Sequence, residues 1–113
     1  MSEVQMTPDQ IVEAMPNYLI PEKAGSTNAT IVFDLSGEGG GKWWVRVHEG
    51  KADSGKGEPP ESPKLTLKAS VDDWIKIMTG KLDGTSAFLQ GKLKTDGDLS
   101  LAMKMPTMFR RPG

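Results

Sequence analysis

The chain has 113 residues, of which 36% are hydrophobic and 26% are charged, and these values predict one globular domain with a single core. Fourteen basic residues balance 15 acidic ones, so no overall basic field indicates binding to nucleic acid. With no cysteine and one histidine, the composition excludes disulfides, thiolate nucleophiles and zinc sites built on Cys or His clusters, and we expect neither a metal nor a cofactor.

The first predicted element is a helix over residues 8–19. Thr7 can cap its N-terminus, and Pro8 suits the first helical position. Pro16 interrupts the pattern, so the last turn is expected to form a separate piece, and Pro21 ends the helix. The apolar residues that share one face of this helix are Ile11, Val12, Met15 and Leu19.

Alternating apolar and polar residues then predict strands, of which the third is weak and contains glycine. The five predicted strands cover residues 29–35, 42–48, 51–57, 64–69 and 92–95. Because short turns join the first three, these strands are expected to be antiparallel neighbours. The proline-rich segment 58–63 is predicted to be an exposed loop.

Three further helices are predicted in the second half of the chain. Ser70 is expected to cap the first and Gly80 to end it, and residues 85–90 form the second. Asp98 is expected to cap the third, over residues 99–105, where alternating apolar residues also fit a strand. The cap favours the helix.

Together these elements predict an α+β fold in which helices cover one face of a five-stranded, mostly antiparallel sheet. We expect one domain over residues 1–113, with a core at about 7–108 and flexible termini at 1–6 and 109–113.

No residue pattern indicates catalysis. The glycine-rich segment 37–41 is not followed by a Ser or Thr after Lys42, and a strand follows it, so a hairpin loop is predicted rather than a phosphate loop. His48 has no Ser or Cys partner at a recognisable spacing, and Asp72 and Asp73 suit a helix N-terminus. The sequence therefore predicts no catalytic residue and no enzyme.

Methionine is concentrated in the second half of the chain, at Met78, Met103, Met105 and Met108. These side chains fit a core filled with soft residues, which the residues alone favour, or an adaptable apolar pocket. The basic residues among them are Lys81, Lys92, Lys94, Lys104, Arg110 and Arg111. They fit a solvated face, or a basic rim for an anionic headgroup or a membrane surface.

Several segments resemble the sterol carrier protein type 2 (non-specific lipid-transfer) domain. Residues 78–82 (MTGKL), 86–94 (SAFLQGKLK) and 102–104 (AMK) are similar to the C-terminal half of that domain. Residues 43–47 (WWVRV) and 65–67 (LTL) are similar to two of its strands. The resemblance extends over residues 7–108, and its specific part is 78–104.

The resemblance implies an apolar tunnel between sheet and helices that holds a lipid tail, without catalysis. Family members carry fatty acids, fatty acyl-CoA, sterols and phospholipids. The tunnel residues that it implies are Phe33, Trp43, Val45, Trp74, Met78, Phe88, Leu89, Leu99, Ala102, Met103 and Met105, with Gln90 of the SAFLQG segment as a polar contact. Lys81, Lys92, Lys94 and Lys104 are expected to attract headgroups and membranes.

We therefore expect a lipid-binding and lipid-transfer protein that holds a fatty acyl chain, is a monomer or weak homodimer, and contacts membrane surfaces transiently. An alternative is a protein-interaction or dimerisation module associated with lipid-metabolising enzymes, which the outward position predicted for Trp44 favours. The first residues show no signal-peptide pattern, and Arg111-Pro112-Gly113 matches no peroxisomal address, so a cytoplasmic location is expected.

Overall fold

The structure is a computed structural model that describes residues 7–109. The predicted flexible segments 1–6 and 110–113 lie outside the described residues. Phe109 was also predicted to belong to a flexible terminus, but its side chain is buried and its backbone bridges to Leu19. The packed part of the chain therefore extends one residue beyond the predicted boundary.

The sheet contains the five predicted strands, each within two residues of its expected bounds. The strands are β1 Ala29–Ser36, β2 Gly41–His48, β3 Lys51–Lys56, β4 Leu65–Ser70 and β5 Leu93–Gly97. Their order in the sheet is β3-β2-β1-β4-β5. The pairs β1–β2, β2–β3 and β4–β5 are antiparallel, whereas β1 and β4 run parallel, so the sheet is mixed.

The helices are α1 Pro8–Ala14, α2 Pro21–Ala24, α3 Val71–Met78, α4 Gly84–Leu89 and α5 Leu99–Met108, with a 3-10 helix at Met15–Tyr18. The predicted first helix is divided at Pro16, which has no N–H to donate to an α-helical hydrogen bond. Pro21 begins α2, which was not predicted: Pro21 was expected only to end the first helix, but proline also fits the first turn of a helix. Helix α5 continues three residues beyond its predicted end, and Met108 in its last turn is fully buried.

Side-chain caps lie at the start of four described helices, α1, α3, α4 and α5. Thr7 and Gln10 form a reciprocal capping box at α1. Ser70, Asp83 and Asp98 accept hydrogen bonds from backbone N–H groups in the first turns of α3, α4 and α5. Three of these caps, Thr7, Ser70 and Asp98, confirm the predictions made from the sequence.

The main core lies between the helices and one face of the sheet, which we call the inner face. Its strand residues alternate with outward ones, as predicted: Ile31, Phe33, Leu35, Trp43, Val45, Val47, Leu65, Leu67 and Ala69 are all buried. Strand β1 is also buried on its outer face at Thr30 and Val32. The predicted fold places helices on one face only, but β1 is central in the sheet and the loop 58–63 lies over its outer face.

Candidate functional site

An apolar cavity of about 170 Å³ lies between the inner face of the sheet and helices α3 and α5. Strands β1, β4 and β5 form its floor through Phe33, Leu67 and Leu93. Its lining residues are Met15, Phe33, Leu67, Trp74, Ile77, Met78, Leu82, Asp83, Gly84, Thr85, Leu93, Ala102, Met105 and Phe109. A mostly apolar lining with a few polar groups is the usual composition of a small-molecule site.

Strand register and helix caps bring the two aromatic walls together. Phe33 stands opposite Leu67 across the parallel pair β1–β4, and Ser70, at the end of β4, caps the helix that carries Trp74. The Phe33 and Trp74 ring centroids are 5.3 Å apart, with the rings tilted by 54°. This tilted arrangement is one that aromatic pairs prefer, and it holds one side of the cavity in place.

Five of the residues expected from the resemblance line this cavity: Phe33, Trp74, Met78, Ala102 and Met105. They come from one strand and two helices that are far apart in the sequence. The structure thus brings together the part of the expected set that belongs to β1, α3 and the inward face of α5.

The other expected tunnel residues lie elsewhere. Trp43 and Val45 are buried in the core but do not line the cavity. Four large apolar side chains are exposed to solvent instead: Phe88, Leu89, Leu99 and Met103. Gln90, the expected polar contact, is also exposed.

Helix phase explains the exposure on α5. The buried side chains are Leu101, Met105 and Met108, spaced by four and three residues, so they share one face. Met103 lies two residues after Leu101, on the opposite side, and is 71% exposed. Some methionines of this helix are therefore buried and one is on the surface. Neither a core of soft residues nor an adaptable pocket accounts for all of them.

The four lysines expected to form a basic rim are all exposed but do not share one location. Lys94 pairs across strands with Lys68, which lines a groove on the outer face, so Lys94 lies on the side of the sheet away from the cavity. Lys104 donates a hydrogen bond to Thr27 Oγ1 at 3.2 Å. Lys81 and Lys92 immediately precede the lining residues Leu82 and Leu93.

Several lining residues were not expected to form a site. Leu67 could have been found, because strand alternation predicted that it points inward. Met15 was predicted to lie on the apolar face of the first helix and Phe109 to belong to a flexible terminus. Neither prediction indicated that the two residues reach one cavity from opposite ends of the described chain. The backbone bridge between Leu19 and Phe109 joins those two ends, because Leu19 lies only four residues after Met15.

The outer face carries a larger groove of about 490 Å³, under the loop 58–63. Its walls mix acidic and basic side chains: Asp34, Lys42, Glu58, Glu61, Lys68 and Asp96. We regard the smaller cavity as the candidate site, because its lining is mostly apolar whereas that of the groove is charged.

The polar cluster around His48 also lies on the outer face. Asp53 accepts a hydrogen bond from Arg46 at 2.8 Å and lies 3.2 Å from His48 Nε2. The Arg46 guanidinium, and secondarily His48, hold the pKa of the Asp53 carboxyl below its usual range. No residue of this cluster lines the cavity. Among residues 7–109, no group of three or more His, Asp or Glu side chains is placed to hold a metal ion.

Trp44, the residue that favoured an interaction module, is half-buried rather than fully exposed. Its indole ring lies over Gly55 of β3, where an added Cβ would come within 2.6 Å of the ring. The indole ring therefore covers backbone of β3 that the glycine, which has no side chain, leaves uncovered.

No helix among the described residues is long and apolar enough to cross a membrane.

Comparison with family models gives a match over residues 10–110 to the SCP-2 sterol transfer family. The chain is 37% identical over 86 residues to hydroxysteroid dehydrogenase-like protein 2 of Bos taurus, an alignment that covers 76% of this chain and 21% of that protein. The chain thus spans about a fifth of the length of the curated relatives it matches.

Solved structures give the same fold. The stereoselective inverting sec-alkylsulfatase Pisa1 from Pseudomonas sp. is similar with a TM-score of 0.82 and 20% identity, over 96% of this chain and 17% of that one. Palmitated SCP2L2 from Aedes aegypti is similar with a TM-score of 0.67 and 25% identity, over 88% of this chain and 91% of that one.

Proposed function

The chain belongs to the SCP-2 sterol transfer family, and on that premise we propose that it binds and transfers a lipid without catalysing a reaction. The bound chain would lie between the inner face of the sheet and helices α3 and α5. The observation that carries the proposal is the cavity whose walls are mostly apolar, with Phe33, Trp74 and Met105 among them. Burial of an acyl chain there contributes ~0.8 kcal/mol per CH₂ group, before the cost of ordering the ligand.

The size of the cavity means that a long chain requires it to widen. A cavity of about 150 Å³ holds a benzene ring, and the volume here is about 170 Å³. By simple scaling, a sixteen-carbon chain needs roughly 400 Å³. We propose that the ligand occupies a tunnel formed when helix α5 moves away from the sheet.

The two ends of α5 differ in how they are held. At its C-terminal end Met108 is fully buried, and its carbonyl accepts a hydrogen bond from the Ile20 N–H at 2.7 Å. At its N-terminal end Leu101 is buried and the Asp98 N–H donates to the Lys64 carbonyl at 2.8 Å. Leu99 and Met103 in the same half are exposed and add little packing. The N-terminal half of α5 is therefore the part proposed to move, about the anchored C-terminal end.

Fatty acids, fatty acyl-CoA, phospholipids and sterol-like lipids are the proposed ligand classes, and the palmitated state of SCP2L2 supports the first of them. Of the lining residues that the structure describes, Asp83 carries the only formal charge. An anionic headgroup is therefore proposed to stay outside, where Lys81 and Lys92 flank the lining segments.

Helices α4 and α5 also supply a proposed membrane-contact surface, which we define as Phe88, Leu89, Leu99 and Met103. Exposed large apolar side chains of this kind favour a membrane or a protein partner over solvent. Lys92, which follows α4 in the sequence, and Lys104, next to Met103 on α5, are exposed and would attract an anionic membrane. Transient docking there would allow lipid to move between membrane and cavity.

Native mass spectrometry with palmitate and with palmitoyl-CoA tests lipid binding. We expect one bound lipid per chain and a rise in the thermal unfolding midpoint, because a ligand that binds only the folded state stabilises it. A chain that takes up neither compound and whose unfolding midpoint does not change would contradict the proposal.

A second candidate function is a module that binds to lipid-metabolising enzymes or to a second copy of the chain. It is favoured by the similarity to one fifth of a dehydrogenase-like protein. Analytical ultracentrifugation separates the two: a tight dimer without lipid uptake favours the module, whereas a monomer or weak homodimer with bound lipid favours transfer. The cytoplasmic location stays a prediction, which cell fractionation tests.

A further inference from the structure

The indole N–H of Trp74 is buried without a hydrogen-bond partner among residues 7–109. Trp74 is 1% exposed, so bulk water does not reach the ring. A buried tryptophan usually finds an acceptor for its N–H, because an unpaired donor loses its hydration without compensation. Trp43 follows that rule: it is equally buried, and its Nε1 donates to Asp9 Oδ1 at 2.7 Å. Trp74 is the exception.

The position of Trp74 suggests where its acceptor comes from. The residue lines the apolar cavity, and its ring packs against Phe33. The polar lining residues Asp83 and Thr85 belong to the start of α4, where Asp83 Oδ2 already accepts the Ser86 N–H at 3.0 Å. None of the described residues, Asp83 and Thr85 included, accepts a hydrogen bond from Trp74 Nε1. A molecule that enters the cavity as it widens would supply the missing acceptor.

We propose that Trp74 Nε1 donates a hydrogen bond to a neutral oxygen of the bound lipid, and that the site prefers ligands carrying an ester, thioester, ketone, amide or hydroxyl oxygen. This inference rests on the proposed lipid-binding function and specifies the chemistry of its ligand. It makes Trp74 a specificity-determining residue and not only part of an apolar wall.

The charge of the cavity excludes a carboxylate at this position. A carboxylate taken out of water needs a cation or several donors, and a single neutral N–H does not replace its hydration. None of the lining residues that the structure describes is basic, and the acidic Asp83 would repel an anion. A neutral oxygen loses less hydration and can be satisfied by one donor.

The test uses two ligands that differ in one group: 2-heptanone, with C=O, and 2-methyl-1-heptene, with C=CH₂ at the same position. The chain has three tryptophans, so its amide NMR spectrum contains three indole signals at most. Trp74→Phe identifies the signal of interest, and Trp43→Phe and Trp44→Phe identify it by elimination should the first variant fail to fold. We expect the ketone to move the Trp74 indole proton downfield, as hydrogen bonding does, and the alkene not to.

Affinities provide the second readout. Loss of one neutral hydrogen bond in Trp74→Phe should weaken ketone binding about fivefold and change alkene binding by less than about twofold. In Trp44→Phe, the matched control outside the cavity, the ketone preference should persist.

The possible failures are distinct. If ketone and alkene move the Trp74 signal alike, or if Trp74→Phe weakens both equally, the hydrogen bond is disproved while binding of apolar ligands stands. If the wild-type chain binds neither compound, nor palmitate, both the hydrogen bond and the lipid-binding function are overturned.

Discussion

Trp43 on strand β2 donates its indole N–H to Asp9 on helix α1, with 2.7 Å between Nε1 and Oδ1. Lys56 of β3 completes the group, because its Nζ lies 3.6 Å from the Asp9 carboxylate and 5.4 Å from the centre of the Trp43 ring. One carboxylate thus joins the first helix to two strands of the sheet.

Asp9→Ala is expected to lower the free energy of unfolding by about 1 kcal/mol, because it leaves the Trp43 N–H without its acceptor. Asp9→Asn should recover most of this loss, since the amide oxygen still accepts the hydrogen bond. Glu13→Ala is the matched control, an exposed acid on the same helix. Urea unfolding measures all three variants, and equal effects of Asp9→Ala and Glu13→Ala would disprove the role of the bond.

The lowered pKa of the Asp53 carboxyl predicts that the stability of the fold decreases in acid. Its pKa in the folded chain lies below the ordinary 3.8, chiefly because of the Arg46 hydrogen bond and then that of His48. A carboxyl group whose folded pKa is lowered stabilises the fold above its unfolded pKa, and the contribution is lost as the pH falls through the folded value. The stabilisation is therefore complete above about pH 4 and disappears in more acidic solution.

Arg46→Met should move the pKa of Asp53 upward, toward 3.8. Carbon-13 NMR of the carboxyl group against pH measures the change directly. Lys51→Met is the control, because it removes an exposed positive charge from the same strand as Asp53 without a hydrogen bond to it. An unchanged Asp53 titration in Arg46→Met would show that the guanidinium does not set this pKa.

Strands and caps were predictable because their signals are local. Alternation over residues 29–35 and 42–48 fixed which side chains face the core, and a capping residue was enough to choose helix over strand after Asp98. The parallel pairing of β1 with β4 is not a local property. It depends on where the loop 58–63 carries the chain, and this crossing also buries Thr30 and Val32.

The candidate site was predictable only in part, because a cavity depends on helix phase and on contacts between distant segments. Met105 and Met103 are the same residue type two positions apart, yet one lines the cavity and the other is exposed. Lys94 similarly belongs to the specific part of the family pattern, and only the register Lys68–Lys94 places it on the outer face. Composition could not distinguish these positions.

Leu89→Glu is expected to weaken binding to vesicles that contain anionic lipid. Leu89 is the most exposed of the four residues in the membrane-contact surface, at 78%. The substitution removes the apolar contribution of one leucine, so the affinity for vesicles should fall roughly tenfold or more. Vesicle co-sedimentation at constant ionic strength measures the change.

Asn17→Glu is the control for charge, since it adds the same negative charge at an exposed position outside α4 and α5. It should weaken binding only by the smaller, salt-dependent electrostatic amount. Equal loss in both variants would mean that net charge, and not an apolar surface, governs the membrane contact.

Ala102→Phe is expected to block lipid uptake. Ala102 is half-buried on α5 and lines the cavity, whose 170 Å³ a phenyl ring would largely fill. We expect the dissociation constant for palmitate to rise by about tenfold or more, because the ring and the chain compete for one space. The new ring occupies existing volume, so the stability of the fold should change by about 1 kcal/mol or less, below the usual cost of overpacking.

Met103→Phe is the matched control, with the same new side chain on the adjacent, solvent-exposed residue of the same helix. It should leave palmitate affinity within about twofold, since an exposed substitution does not alter the cavity. Native mass spectrometry and thermal unfolding, applied to both variants, separate loss of binding from loss of folding. If Ala102→Phe binds palmitate as well as Met103→Phe does, the acyl chain does not lie between α5 and the sheet, and the site must be sought on another face of the domain.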